Sequence, residues 1–585
     1  MKLQTGGSLA SGPLPCLLFA IVVFLLYSNT FQSPYIFDDW YHIEANPHIR
    51  MTDFSLDALK RAAFDSPLHR RPLAYVSLAL NYYFGGYELF GYHIVNILIH
   101  LGAAIFLYLF LQTTFSMRES QKNTKYGDWL PFFAALIWLV HPLHVQSVTY
   151  IIQRMNSMAA MFYILALLFY VRARLAQSRA KRLLLFSGCF CAGVLALGSK
   201  EIAATLPLFI LLYEWFFLQD LSFSWLRKRI LPLLGIGLFL SMAAILLWDL
   251  NLVSSIINSY NIRDFNMMQR ILTEFRVVLF YVSLLLLPHP GRLNIDHDFQ
   301  LSLSLVDPVT TCLSLAVLLV LFGLATVLAQ KERLLSFCIF WFLGNLVIES
   351  SVIGLEIIFE HRTYLPSMLA IPGAVIVGKR ILPTRLQQIS LALTVLVIFS
   401  FWTYERNTVW RDEVTLRRDA AAKSPAKARA LAILANALER NHEYEEAAFY
   451  YRKTLNLNPG NADEINYNLG NVLMAQRKID QAVEHFKTAR RLNPDAAPIR
   501  LNLANALAMQ GQTLAAYAEL QELIRLHPRE PRAHNNFGML LLQLGRPKEA
   551  VFHFSEALRL QPKYAQARSN LEAAMQRMKN VTPSH

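Results

Sequence analysis

The chain has 585 residues, a formal net charge of +14 and only 16% charged residues against 54% hydrophobic ones. Ordinary soluble domains carry about 25% charged residues, so this balance excludes a plain soluble globular protein and points to a membrane. The excess positive charge is no nucleic-acid footprint, because much of it sits in short loops between apolar runs (Arg172, Arg174, Arg179, Lys181 and Arg182), where the positive-inside rule puts it.

In chain order, the first apolar run extends from about Pro13 to Thr30 behind a single lysine. It reads as an uncleaved anchor, a cleaved signal peptide being the alternative. A spanning helix needs roughly 20 mostly apolar residues. Stretches of that kind lie at about 13–30, 92–112, 129–148, 156–172, 183–198, 203–219, 230–249, 307–329, 334–353, 363–378 and 386–404, about eleven in all. The run from Val277 to Leu287 is shorter, and Pro288 and Pro290 end it.

Loop charges set the sides. With the N-terminus in the cytoplasm, the inner loops hold Arg118, Lys122 and Lys125; Arg172 to Arg182; Arg227, Lys228 and Arg229; Lys331 and Arg333; and Lys379, Arg380 and Arg385. The pattern holds only if Val277 to Leu287 does not cross, which predicts a re-entrant or surface-lying segment there. An odd number of crossings then places the C-terminal part outside. The five cysteines all lie in apolar segments without zinc or CxxC spacing, so neither a disulfide framework nor a zinc site is expected.

The first outer loop, 31–91, holds Phe37-Asp38-Asp39-Trp40 and then Glu44, Asn46, Pro47 and His48. Paired carboxylates just beyond a membrane helix are costly unless wet or functional, and one could act as general base on an acceptor hydroxyl. The bland reading is a hydrated loop or a helix cap. Arg70-Arg71-Pro72 and the aromatic-rich stretch Tyr75 to Tyr92 read as an amphipathic helix on the surface. Further ionisable groups fall on the same side: His141, His144 and Arg154; Lys200 and Glu201; Arg292, Asp296, His297 and Asp298; and Glu360, His361, Arg362 and Tyr364. Cations there suit a lipid-linked phosphate or pyrophosphate. The histidine pair is expected to pack rather than bind metal; Asp296-His297-Asp298 and Glu360 have the chemistry to ligate a divalent metal, which stays an open alternative because no spacing demands it.

Beyond about residue 404 the chain turns polar and Ala-rich. Prolines recur at Pro425, Pro459, Pro494, Pro528 and Pro562, at spacings of 34, 35, 34 and 34. Small residues (Ala435, Gly470, Ala504, Gly538; then Ala447, Ala482, Ala516, Ala550) and bulky ones (Tyr451, Phe486, Leu520, Phe554) keep step. This is the TPR period, predicting about four helical pairs and a capping helix near Ala565 to Met578. Asn468, Asn502 and Asn536 share one repeat position, with Asn471 and Asn505 one helical step on, a ladder able to hold an extended peptide backbone. Solvated or capping asparagines are the alternative. The expected domains are 1–404, a linker helix at 405–424, and a TPR superhelix at 425–585.

Taken together, Phe37-Asp38-Asp39, Asn46-Pro47, Arg71-Pro72-Leu73, His141-Pro142-Leu143-His144-Val145, Lys200-Glu201, Arg276-Val277-Val278, Arg292-Leu293 with Asp296-His297-Asp298-Phe299, and Glu360-His361-Arg362-Thr363-Tyr364-Leu365-Pro366-Ser367 resemble the C-type (GT-C) glycosyltransferases. They resemble more closely the transmembrane-and-TPR family of O-mannosyltransferases and its bacterial relatives. The resemblance implies an all-α, polytopic GT-C membrane fold followed by the TPR superhelix. It implies a polyprenyl-phosphate-linked sugar donor, mannose in eukaryotic members, and a Ser or Thr hydroxyl of a protein as acceptor. Asp38 or Asp39 would be the base, and Arg154, Lys200, Arg292 and Arg362 would hold the donor phosphate. His141, His144, Glu201, Asp296, His297, Asp298, Glu360, His361 and Tyr364 would support them. The short repeat array suggests a bacterial member, in the inner membrane with its site and TPRs on the periplasmic side. Two other readings fit the same residues: an oligosaccharyl or polysaccharide transferase using a pyrophosphate carrier, and a non-enzymatic membrane scaffold that recruits partners through its TPRs.

Overall fold

The computed structural model describes residues 13–122, 129–230, 252–261 and 263–581. The apolar stretch expected at 230–249 and the inner-loop Lys125 lie outside the described residues. Two compact units divide the chain, residues 1–416 and 417–585. The structure is helical throughout its regular elements.

In the first unit six described helices are long and apolar enough to cross a membrane: Leu89–Met117, Ile151–Leu175, Arg179–Leu197, Glu201–Leu218, Thr310–Lys331 and Arg385–Thr408. Trp129–Leu139 and Pro142–Thr149 form a seventh if taken as one span, bent by 48°. His141-Pro142 is the break, since proline supplies no N–H and its ring obstructs the preceding turn. Leu14–Thr30 and Arg333–Leu346 are apolar but shorter, and Tyr364–Ile381 contains Pro372 and ends in Lys379 and Arg380. The core gathers large side chains from several helices, among them Trp138, Tyr163, Phe209, Trp341 and Tyr364. By contrast Thr310–Lys331 keeps only 11% of its most apolar window buried, so its leucines and valines face outward as lipid-contacting residues do.

The segment expected to stay at one face is a helix, Met267–Leu286, longer than the apolar run inside it. Arg270, Glu274 and Arg276 interrupt its first turns in the hydropathy pattern, while Asn266 and Gln269 close a capping box at its start. Arg270, at one end, donates to the carbonyls of Glu349, Ser351, Leu355 and Glu356. The chain leaving the other end returns to the same connection, where His297 Nε2 meets Glu360 Oε1 at 3.0 Å. The start of this helix and the chain that follows it thus both contact the connection 347–363.

The second unit stacks helix pairs: Ala428–Arg440 with Tyr444–Leu455, Ala462–Ala475 with Ile479–Leu492, Ala497–Met509 with Thr513–Leu526, and Pro531–Gln543 with Pro547–Leu560, followed by Ala565–Val581. Small residues lie at the crossings for steric reasons. A Cβ on Gly470 would meet Phe486 at 2.5 Å, and one on Gly538 would meet Phe554 at 2.7 Å. Each first helix ends on a left-handed residue, His442, Arg477, Gly511 and Gly545 in turn. The next N–H then bonds five residues back, Glu443 to Leu438, Lys478 to Leu473, Gln512 to Leu507 and Arg546 to Leu541.

Candidate functional site

The paired acids part at Phe37, whose φ of 50° is left-handed. Non-glycine residues seldom adopt that conformation and concentrate where geometry is imposed by surrounding structure. Asp39 is fully buried, and its carboxyl accepts from the N–H groups of Ile36 at 3.1 Å and Ile152 at 2.8 Å. Burial pushes its pKa up to about 8 against the pull of those two N–H bonds. Asp38 is exposed, and its backbone N–H donates to Tyr150 Oη at 2.9 Å. One neighbour thus anchors the loop while the other presents its carboxyl group to solvent.

His42 lies one helical step on, within electrostatic reach of Asp38 and Arg71, and burial holds its imidazole below the usual pKa. Tyr75 Oη accepts from Leu68 N–H at 3.3 Å and lies 2.7 Å from His42 Nδ1. Asn46, of the Asn-Pro pair, fixes this turn: its amide donates to His42 O and Ser66 Oγ, and its oxygen accepts from His48 N–H.

Two distant stretches meet beside it. Arg71 Nη2 lies 2.9 Å from Glu201 Oε2, and Leu73 N–H bonds Gly198 O at 3.0 Å. Behind them Lys200 Nζ reaches Glu349 Oε1 at 2.6 Å and Asn156 Oδ1 at 3.0 Å. Burial lowers the Lys200 pKa and Glu349 opposes that shift. Arg270 lies 2.9 Å and Arg362 3.9 Å from Glu274. Arg71, Lys200, Arg270 and Arg362 thus face Glu201, Glu349 and Glu274, four cations against three carboxylates. Gln146 accepts from His361 N–H at 2.9 Å, and Asn156 donates to His361 O at 2.7 Å. The buried Gln146 Nε2 and His361 Nδ1 have no hydrogen-bond partner. Burial, then Lys200, Arg362 and Arg71, hold His361 well below the usual imidazole pKa, so it is neutral.

Other expected residues lie elsewhere or are engaged in structure. Arg154 is fully buried and donates to Asn96, Asn81, Ser77 O and Tyr92 O. Arg292 donates to Ser283 O and Leu287 O at the end of Met267–Leu286. Asn294 N–H and His297 both bond Glu360 Oε1; Asp296 is buried beside Asn294, and Asp298 is exposed. His144 Nδ1 meets Trp138 O at 2.9 Å, and its Nε2 meets Ser367 Oγ at 2.9 Å. His100 joins Tyr364 Oη to Leu139 O, and His141 Nε2 bonds Leu285 O. These histidines form a packed polar network at the bend. Among the described residues no group of three or more His, Cys, Asp or Glu is arranged to hold a metal ion.

In the second unit the ladder asparagines pair with one another. Asn468 Nδ2 reaches Asn436 Oδ1 at 3.4 Å, Asn502 Nδ2 reaches Asn471 Oδ1 at 2.7 Å, and Asn536 Nδ2 reaches Asn505 Oδ1 at 2.8 Å.

Comparison with known proteins follows the same two parts. Protein O-mannosyl-transferase Tmtc3 of Drosophila melanogaster is 24% identical over 558 residues, 83% of this chain and 59% of the fly protein. Protein O-mannosyl-transferase TMTC1 of Homo sapiens is 26% identical over 531 residues, 76% of this chain and 55% of the human protein. The chain is similar to the protein O-mannosyl-transferases over most of its own length. It spans less than two thirds of the length of these relatives. Tetratricopeptide-repeat family models match residues 428–461, 467–531 and 531–564. Among solved structures, the TPR protein YrrB is 21% identical, covering 30% of this chain and 90% of its own, with a TM-score of 0.26. MamA from Desulfovibrio magneticus RS-1 is 20% identical over 26% of this chain and 85% of its own, with a TM-score of 0.25.

Several residues gathered at this candidate site have no place among the sequence-based expectations: His42, Tyr75, Gln146, Asn156, Arg270, Glu274 and Glu349, along with the role of Arg71. Glu349 and Glu274 did carry a signal, since each is an acid within or beside an apolar run. The others are polar residues of ordinary frequency, and only their convergence marks them.

Proposed function

We propose that the chain is a protein O-glycosyltransferase that moves a sugar, with mannose the first to test, from a polyprenyl-phosphate carrier to Ser or Thr hydroxyls of exported or membrane proteins. The reading rests above all on the split of the acid pair, with Asp38 exposed beside His42 and Asp39 buried as an anchor. Asp38 is the base. It takes the hydroxyl proton as the acceptor oxygen attacks the anomeric carbon from the face opposite the phosphate. The bond from that carbon to the phosphate oxygen breaks, the sugar inverts, and polyprenyl phosphate leaves carrying the electron pair. Lys200 and Arg71 receive the phosphate, with the unpartnered Gln146 Nε2, on the side chain that holds His361 N–H, as a further donor. Fixed donors aimed at a developing charge lower the barrier. Arg154, Arg292 and Arg362, already committed to protein acceptors, act by holding the walls of the site.

The paired asparagines bear on the acceptor. Amide groups along this ladder suit the alternating C=O and N–H of an extended backbone, with Asn502 Nδ2 also donating to Tyr467 Oη and Asn536 Oδ1 accepting from Asn535. The reaction and the repeats are placed on the outer face, the periplasmic side in a bacterium.

Glycoproteomics of a deletion strain, complemented with wild type or with Asp38→Asn, tests the proposal. Sugar restored by wild type and about 10²–10⁴-fold slower with Asp38→Asn at equal protein level is the expected result, the range a general base contributes. Equal glycosylation with Asp38→Asn overturns the assignment of the base. An unchanged glycoproteome in the deletion overturns the activity.

A further inference from the structure

The first unit carries a concavity whose lining does not include Asp38. Trp129, Ile137, His141, Leu285, Ile371, Val375, Ala392, Val395 and Phe399 line an apolar groove of about 180 Å³ whose lining ends at Lys379, Leu382 and Gln388. Tyr364 begins its helix beside the candidate site, and Lys379 lies fifteen residues further on, roughly 22 Å along the axis at 1.5 Å per residue. The groove therefore opens at the face opposite the site. That face also holds Arg380, paired with Glu332, and the exposed Arg385 and Lys331.

We propose that this groove binds an anionic phospholipid from the basic leaflet, one acyl chain lying along the two helices and the phosphate at Lys379. Charge complementarity selects the occupant. The wall is apolar for most of its length, Lys379 supplies the charge at its mouth, and basic residues near a membrane surface favour anionic lipid. The local backbone does not oppose an anion. Gln388 Nε2 donates to the carbonyls of Lys379 at 3.0 Å and Leu382 at 2.9 Å, covering the negative end of Tyr364–Ile381. The neighbouring helix presents its positive N-terminus, capped by Thr384, at the same level. The lipid wedges the connection between Tyr364–Ile381 and Arg385–Thr408.

The full chain, purified in detergent, is exposed to phosphatidylglycerol or phosphatidylcholine with identical acyl chains, and bound lipid is read by native mass spectrometry. Preferential retention of phosphatidylglycerol is expected. Lys379→Gln lowers it about fivefold, the weight of one basic residue at an anionic surface. Lys331→Gln, on the same face but outside the groove, leaves retention unchanged. Ala374→Phe, which fills the groove from its exposed side, removes the bound lipid while the thermal midpoint stays put. Equal retention of phosphatidylcholine, or equal losses in Lys379→Gln and Lys331→Gln, overturns the proposal. Displacement of phosphatidylglycerol by polyprenyl phosphate assigns the groove to the donor chain and overturns it too.

Discussion

Asp38 and Asp39 are the same residue type one position apart, yet they occupy different dielectric surroundings. Asp39 carries the sharper consequence. Its folded pKa of about 8 lies above the 3.8 of an unperturbed aspartate. Between those values the folded state holds a proton that the unfolded chain has released, so this residue makes stability fall as pH rises from about 4 to about 8. Asp39→Asn, which cannot titrate, is expected to flatten that slope in thermal midpoints measured from pH 5 to 9. An unchanged slope would place the dominant titration elsewhere. Lys200 and Glu349 offer a second test, since each side chain is only 7% exposed. Lys200→Met leaves a buried carboxylate unpaired and should cost about 3–5 kcal/mol, whereas the double change Lys200→Met with Glu349→Gln should recover most of it. Denaturation of the purified variants reads both, and equal loss in the single and double variants refutes the coupling.

At the scale of elements, the helix Met267–Leu286 shows how charge hides a helix from a hydropathy scan. Its first turns hold Arg270 and Glu274, which are buried against each other rather than exposed. The bend at His141-Pro142 shows the converse. A long apolar stretch that scans as one span breaks, and His100, His144, Ser367 and Tyr364 satisfy one another around the break. Among the TPR helices, the left-handed terminal position is glycine in two repeats but His442 and Arg477 in the other two. Left-handed backbone costs a non-glycine residue about 1–2 kcal/mol, part of which glycine's greater unfolded entropy offsets. Arg477→Gly is therefore expected to stabilise its repeat by about 0.5–1 kcal/mol. Hydrogen exchange at the amides of Lys478 and its neighbours would slow accordingly, and faster exchange would contradict the argument.

For the whole molecule, two units with separate cores carry separable roles under the proposed function. Changing Asn468, Asn502 and Asn536 together to Ala removes three amides and no catalytic group. Transfer to a full-length protein acceptor should lose about tenfold or more in kcat/KM, through KM, while transfer to a short peptide at saturating concentration stays unchanged. Equal losses with both acceptors would show that the ladder only holds the repeats together.

The sequence by itself determined the membrane unit and the 34-residue helical repeats. Each of these is written in local hydrophobicity, in spacing or in the need of a charge for a wet surface, and such signals survive without knowledge of neighbours. Only the tertiary structure decided which acid of the pair is buried, that Arg71 meets Glu201 130 residues away, and that Arg154 and Arg292 spend their donors on the protein itself. Those outcomes depend on which groups lie within a few ångströms after folding, because hydrogen bonding and burial, not residue type, set whether a charge is structural or available to a ligand.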